Sequence, residues 1–449
     1  MHETSLLGPE ASTSGRPTER LPTRQLVRIS IYWLGLSSIF AGLTTILAGR
    51  IEFAGLADKD QAGRTLLLLT IGGAVIAAVV QPTIGTISDY TISRWGRRKP
   101  YIFIGSVLDV VFLAGIAFSN DLLAIAAFVA LLQFSSNFAQ GPFQGYVPDL
   151  VPAPQVGMAS ALVGLMQILG NVTGFIIAGI AVALDQFALG LLALGVLELV
   201  TMLGVVLRVR EGRTPKDRAG RSWASVAAEA WGTDVLRERS FVFLVLSRLV
   251  ILMAGSVLVQ LALFYLTRSL FLDQADAGGS VPIMSGVVAL GTLITIIPAA
   301  RLSDRVGRKK VIYASCALGA IGMAIVAIAT SFPIALVGTL LFGMSAGIFL
   351  AVDWALMTDI IPKASSGRYM GLSNVATASA GVLALAIGGL IMDGVGGPDG
   401  PRAALWFAVS LFGLGVVLLL PVDERRREDE PPESAGQTHP APDVSTAAV

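Results

Sequence analysis

The chain has 449 residues, of which 54% are hydrophobic and 14% charged, and its mean hydropathy of +0.73 excludes water as its main solvent. Its two histidines, His2 and His439, lie in polar end segments and its one cysteine is Cys316, which excludes an internal disulfide and a histidine-based metal or catalytic centre in the apolar stretches. The formal charge of +1 excludes little; the information is in how the charges are distributed.

Residues 1–25 are polar, rich in Pro, Ser, Thr and Arg, and without an apolar core, so they are expected to remain as a cytoplasmic tail rather than act as a leader. Apolar blocks follow, each of roughly 18–25 residues and long enough to cross about 30 Å of hydrocarbon as a helix. They predict helices near 26–48, 65–88, 101–118, 122–146, 157–182 and 186–208, then 241–267, 280–300, 311–329, 332–358, 368–392 and 402–421. The short alternating segments of a barrel do not occur. Residues 26–208 and 241–421 therefore form two six-helix bundles, joined by a cytoplasmic linker over 209–240 and followed by a tail over 422–449 whose Pro, Glu, Asp and Arg content predicts disorder. The fold class is an all-α membrane protein with 12 transmembrane helices.

With the N-terminus inside, the basic loops around Arg94, Arg97, Arg98 and Lys99 and around Arg301, Arg305, Arg308, Lys309 and Lys310 face the cytoplasm, as does the Arg- and Lys-bearing linker. The opposite loops keep only Arg50, Lys59, Arg64, Arg268 and Arg402. This asymmetry follows the positive-inside rule and puts both termini in the cytoplasm of a bacterial cell, the chain crossing its inner membrane many times.

The sequence repeats itself across the linker. Ser88-Asp89 with Gly96-Arg97-Arg98-Lys99 recurs as Ser303-Asp304 with Gly307-Arg308-Lys309-Lys310, after the second helix of each half. Asp149-Leu150-Val151-Pro152 with Gly157 recurs as Asp359-Ile360-Ile361-Pro362 with Gly367, 210 residues on. Parallel six-helix repeats around a central cavity are a transporter architecture, in which one half rocks against the other.

The loop QPTIGTISDYTISRWGRRKPYIFIG, Gln81 to Gly105, resembles the conserved loop of the major facilitator superfamily. Its SRWGRRKPY portion resembles the glycoside-pentoside-hexuronide:cation symporter branch, which includes sucrose carriers, and ARLSDRVGRKK resembles the commoner superfamily form. The resemblance covers residues 26 to 421 and implies the major facilitator fold, with the first, fourth, seventh and tenth helices lining a cavity.

Gln133, Asn137, Gln140 and Gln144 on the fourth helix fall within an arc of roughly 60°, at about 100° per residue. Amides both donate and accept, which suits a polyhydroxylated solute, and the resemblance points this stripe at the cavity; the same amides also serve as glue between helices. Gln167 and Asn171 add a second amide pair beside Gly170 and Gly174 on a close-packing face, and Gln81 and Gln260 are weaker candidates. Tyr32, Trp33 and Trp354 are candidates to stack on a sugar, although Tyr32 and Trp33 near a helix start also suit interfacial anchors.

Ionisable groups at depth are Asp109, Glu198, Arg248 and Asp353. Arg248 and Asp353 both lie roughly 10–13 Å from the inner surface at 1.5 Å per residue, so they are placed to pair, and protonation of Asp353 would break the pair. Asp109 and Glu198, on the third and sixth helices, are assigned structural roles. Asp89, Arg94, Arg97, Arg98, Asp304, Arg305 and Arg308 are read as gating residues, charge-assisted pairs closing the inward face of each half, while the basic members also fix topology. The sodium-coupled carriers that the chain resembles place carboxylates on the first, second and fourth helices, and sucrose carriers an arginine on the fourth. Neither pattern occurs, which argues against sodium and leaves proton coupling or facilitated diffusion.

The reading is a proton-coupled transporter of a sugar or glycoside, acting as a monomer in a lipid bilayer, with no cofactor and no nucleic acid. Proton-driven export of an amphipathic drug or metabolite is the alternative, and predicts a site of aromatic and Met residues rather than amides. A non-transporting sensor or scaffold would carry an appended signalling domain. No H-E-x-x-H, G-x-S-x-G or phosphate-loop string occurs, so neither an enzyme nor an ATP-driven pump is indicated.

Overall fold

Hydrocarbon offers the backbone no hydrogen-bonding partner, so a spanning chain of this apolarity must satisfy its amides within helices. The computed structural model describes residues 19–91, 93–211, 222, 238–360 and 366–422. Most of the expected linker and tails therefore lies outside the described residues, as do Ile361 and Pro362 of the repeated motif.

The first half contains α1 (Thr23–Glu52, interrupted at Ile31), α2 (Ala62–Asp89), α3 (Lys99–Phe118), α4 (Leu122–Gln144), α5 (Val156–Ala183) and α6 (Phe187–Val206). The second contains α7 (Arg239–Phe264), α8 (Gln274–Val306), α9 (Arg308–Ile328), α10 (Phe332–Ile360), α11 (Ser366–Val395) and α12 (Asp399–Leu419). Among the described residues, eleven of these are long and apolar enough to span a bilayer, and the twelfth, α11, has its apolar stretch over Ser379–Val395. The helices overrun the predicted hydrocarbon segments because local chemistry, not hydropathy, ends them. Asp273 caps α8 by accepting from the Asp276 amide at 2.8 Å, ahead of the apolar block, and Asp121 caps α4 through Ala124 at 2.8 Å. The repeated loop glycines, Gly96 and Gly307, turn the chain with φ of 124° and 101°, a region that a side chain disfavours.

Helix packing shows the duplication directly. In the first half α1 packs on α5 and α6, α2 on α4, and α3 on α4 and α6; in the second, α7 packs on α11 and α12, α8 on α10, and α9 on α10 and α12. Each pair maps onto its counterpart six helices later. The halves meet through α5 on α8 and α2 on α11, contacts that a two-fold exchange of the halves interconverts. We call the end where α1 begins and α12 finishes the terminal end, and the opposite one the far end.

Candidate functional site between the two halves

At mid-height between the halves lies a cavity of about 490 Å³. The first half contributes Phe40 from α1 and Asn171 and Phe175 from α5; the second contributes stretches of α7, α8, α10 and α12. Its walls carry five phenylalanines (Phe40, Phe175, Phe342, Phe349, Phe412) and Met284. Most lining hydroxyls are committed to backbone: Ser256 to Leu252 at 2.8 Å, Thr292 to Val288 at 2.9 Å, Thr339 to Ala335 at 2.8 Å and Ser345 to Ser315 at 2.7 Å. Asn171, Gln260 and Ser285 also line it, and their side chains make no hydrogen bond among the described residues. They leave amide and hydroxyl groups free for a solute on both sides of an otherwise aromatic space.

The amides of α4 do not line this cavity. Gln133 lies against Gly73 of α2, and buried Asn137 donates to the Gln133 carbonyl of its own helix at 2.7 Å. Gln140 is half-buried and Gln144 exposed. The stripe is one face as read, but helix rotation turns its upper part to the α2 contact. Tyr32 does not reach the cavity either: it is fully buried, its ring edge-on to Phe143 at 4.9 Å and its hydroxyl donated to Glu198 at 2.9 Å. Trp33 is half-buried and sits 5.8 Å from the same Phe143 ring. Gln167 is half-buried on α5, one turn from Asn171 and outside the cavity lining, and the side chain of Trp354 lies outside the described residues.

Deeper toward the terminal end, the structure brings Arg248 of α7 and Asp353 of α10 together. Their side chains are 4% and 2% exposed, with Nη1 2.8 Å from Oδ2. Arg248 Nε also donates to Thr377 of α11 at 3.2 Å, so one guanidinium ties three helices.

At the terminal end of the first half Arg98 is the hub. It pairs with Asp89 at 2.6 Å and Asp149 at 2.7 Å, donates to the Pro142 carbonyl at 2.7 Å, and its backbone amide donates to Glu211 at 2.9 Å. Arg97 also pairs with Asp149, and Tyr146 donates to Glu211. Sequence reasoning saw Asp149 only as a repeat marker and missed Glu211; the recurrence of Asp149 in a loop motif was the available signal. In the second half Arg308 reaches Asp304 at 3.3 Å, but Asp304 is 68% exposed. Arg94 and Arg305 are exposed.

The far end joins the halves. Asp393 of α11 accepts from the amides of Gly63 and Arg64 at 2.9 and 2.8 Å, so a carboxylate of one half caps α2 of the other. Arg268 pairs with Glu52 at 2.7 Å and donates to the Lys59 carbonyl at 3.0 Å, and Gln274 donates to the Val182 carbonyl at 2.8 Å. These groups were unmarked in the sequence reading, since outer-loop charges were used there only to fix topology.

A duplicated bundle with a central cavity and a cross-half latch narrows the family, and the family model of the Major Facilitator Superfamily matches residues 29–276 and 274–447. The chain belongs to the Major Facilitator Superfamily. Among curated relatives, the sucrose transport protein SUT1 of Oryza sativa subsp. japonica is 32% identical over 125 residues, covering 23% of each chain. Sucrose transport protein SUT4 of the same plant is 29% identical over 184 residues, covering 36% of this chain and 30% of that one. Solute carrier family 45 member 4 of Mus musculus is 26% identical over 186 residues, or 38% of this chain and 23% of the relative. The matches thus span under a third of those relatives, and they lie in the sucrose-carrier-like branch that the SRWGRRKPY loop resembles. Among solved structures, a point mutant of the nucleoside transporter NupG superposes with a TM-score of 0.69 at 16% identity, covering 89% of this chain and 99% of that one. A bacterial homologue of the human lysosomal transporter Spinster, in an inward-facing and occupied conformation, gives 0.68 at 13% identity over 89% and 96% of the two chains. These establish the major facilitator fold, and the superfamily is one of transporters, not enzymes.

Proposed function

We propose that this protein is a secondary transporter which carries a glycoside, a hydroxylated solute with an apolar portion, by alternating access and couples its movement to protons. One observation carries the reading: in a cavity between the halves, Asn171 and Gln260 stand with uncommitted amides among five phenylalanines. The volume of 490 Å³ falls in the roughly 300–1,000 Å³ range of small-molecule sites. Aromatic walls suit the apolar faces of a sugar and its aglycone, and amides suit its hydroxyls. Similarity to relatives named as sucrose transport proteins supports the sugar class.

Coupling is assigned to Asp353. Its protonation would release Arg248 and loosen α7 from α10, which line the same cavity. The basic loops support a cytoplasmic terminal end in a bacterial cell membrane, so the far-end latch would close the outer face. Asp89, Arg98 and Asp149 would then brace the inward end of the first half.

The aromatic and methionine surface of the cavity favours a second reading, proton-driven export of an amphipathic metabolite or drug. Proteoliposomes decide between them: labelled aryl glycosides and free sugars are offered with and without an imposed pH gradient, beside a fluorescent amphipathic dye. Gradient-driven glycoside accumulation supports the first reading. Dye efflux with no glycoside or sugar movement in either direction supports the second and removes the first.

A further inference from the structure

Away from the cavity and from the Arg248–Asp353 pair, the first half buries two more carboxyl groups, Asp109 on α3 and Glu198 on α6, both fully inaccessible. Their surroundings can be counted atom by atom. Asp109 Oδ1 accepts from Ser135, Asp109 Oδ2 from Ser136 at 2.8 Å, and Glu198 Oε1 from Tyr32 at 2.9 Å. The Tyr32 oxygen lies 2.6 Å from Ser106 Oγ, a hydroxyl that also reaches the Glu198 carboxyl. Three of the four carboxyl oxygens therefore accept a well-formed hydroxyl bond. The fourth oxygen, Glu198 Oε2, is buried without such a bond from any described residue, although the Asp109 and Glu198 side chains are within hydrogen-bonding reach of one another.

No cation among the described residues balances the pair. Among the described residues neither carboxyl makes an ion pair. The titratable group facing it from α1 is Tyr32, α4 presents the serines, and α3 and α6 supply the two acids themselves. Two ionised carboxylates in contact, away from water and without a counter-charge, repel one another and leave lone pair facing lone pair. One proton removes both faults: it supplies the missing fourth hydrogen bond, and it leaves a single negative charge spread over three hydroxyl bonds. The corresponding helices of the second half carry no such pair, since α9 contains no acidic residue and α12 only Asp399 at its start. The duplicated architecture therefore does not itself demand it.

We infer that Asp109 and Glu198 form a proton-binding site, holding one shared proton between α3 and α6 under the cover of Tyr32 from α1. The site links four of the six helices of the first half, α1, α3, α4 and α6, and leaves out α2 and α5, which make the most extensive contacts with the second half. The proton thus belongs to the rigid frame of that half. It is separate from the Asp353 assignment and does not depend on the substrate proposed above.

Infrared spectroscopy of the full chain in lipid at pH 8 tests this. The wild type should show the carbonyl band of a protonated carboxylic acid, shifted in heavy water, and E198Q should lose it, because the glutamine amide replaces the proton donor to Asp109 without changing shape. D109N should lose it too. A stability measurement gives an independent check. A proton bound by the native but not the unfolded chain makes unfolding more favourable by about tenfold per pH unit above the ordinary carboxylate range, until the site itself deprotonates. E198Q should be flatter than wild type by that factor. Absence of the band from the wild type overturns the inference without reference to any variant, as does a band and pH slope unchanged in E198Q and D109N.

Discussion

Asp353→Asn is the most demanding test of the buried charges in the second half. At 2.8 Å, opposite unit charges attract by about 6 kcal/mol at an effective dielectric of about 20, and the cost of taking both ions out of water cancels much of that. The pair as a whole therefore adds little to stability, but removing one member is another matter. The neutral amide leaves the Arg248 charge in a site 4% exposed, and losing one partner of such a pair costs about 3–5 kcal/mol. Arg248→Met should cost a similar amount. The double variant R248M/D353L, apolar on both sides, should return to within about 1 kcal/mol of wild type. Equilibrium unfolding in detergent, followed by tryptophan fluorescence, gives the double-mutant cycle. Single variants costing under about 1 kcal/mol, or a double variant as weak as the sum of the singles, would refute the reasoning. The same D353N protein in proteoliposomes addresses coupling: pH-driven accumulation should vanish while downhill exchange persists, and retained accumulation removes Asp353 from that role.

Three further outcomes follow from the geometry. Asp393→Ala removes the cross-half cap of α2, at a cost of about 0.5–2 kcal/mol to the conformation latched at the far end; distance measurements between spin labels on α2 and α11 should show a larger open population there, and an unchanged distribution would count against the latch. Asn171→Ala and Gln260→Ala should each weaken solute binding by about 1 kcal/mol, roughly five-fold, by titration with an aryl glycoside, whereas Gln133→Ala, packed against Gly73, should leave affinity unchanged. Asp149→Ala, which strips Arg97 and Arg98 of a shared partner, should cost about 1–3 kcal/mol in thermal unfolding, and Asp304→Ala, at a residue 68% exposed, under about 0.5 kcal/mol.

Some of these features were legible in the sequence and others were not, for reasons that differ by residue. Helix number was legible because hydrocarbon fixes span length and leaves no alternative to internal hydrogen bonding. The meeting of Arg248 and Asp353 was legible because depth along a helix is arithmetic, and two charges at one depth in a low-dielectric slab have few other partners. Rotation about a helix axis is not arithmetic. Gln133 was read toward the cavity and Asn171 onto a close-packing face, yet Gln133 faces a glycine of α2 and Asn171 the cavity, a distinction set by which neighbours pack closest. Asp109 and Glu198 stand 89 positions apart, and nothing local to either indicates that α3 and α6 are neighbours. Asp393 sat at a helix end in the sequence, one residue past the predicted boundary, where hydropathy carries no information about what its carboxylate caps.

The distribution of polar contacts bears on how such a molecule moves. The bonds within the first half, at Arg98 and at Glu198, bind α1, α2, α3, α4 and α6 together, whereas the far-end bonds between halves include a capped helix start and the Arg268–Glu52 pair. A helix cap is worth about 0.5–2 kcal/mol, and the cluster of Asp109 and Glu198 costs more to break because its groups are fully buried. A rocking transition that exchanges the few far-end contacts for equivalents elsewhere is therefore cheap, while one that shears α3 from α6 is not. The two-fold relation of the α5–α8 and α2–α11 contacts supplies the axis for that motion, since tilting about it alters both interfaces equally and leaves each half intact.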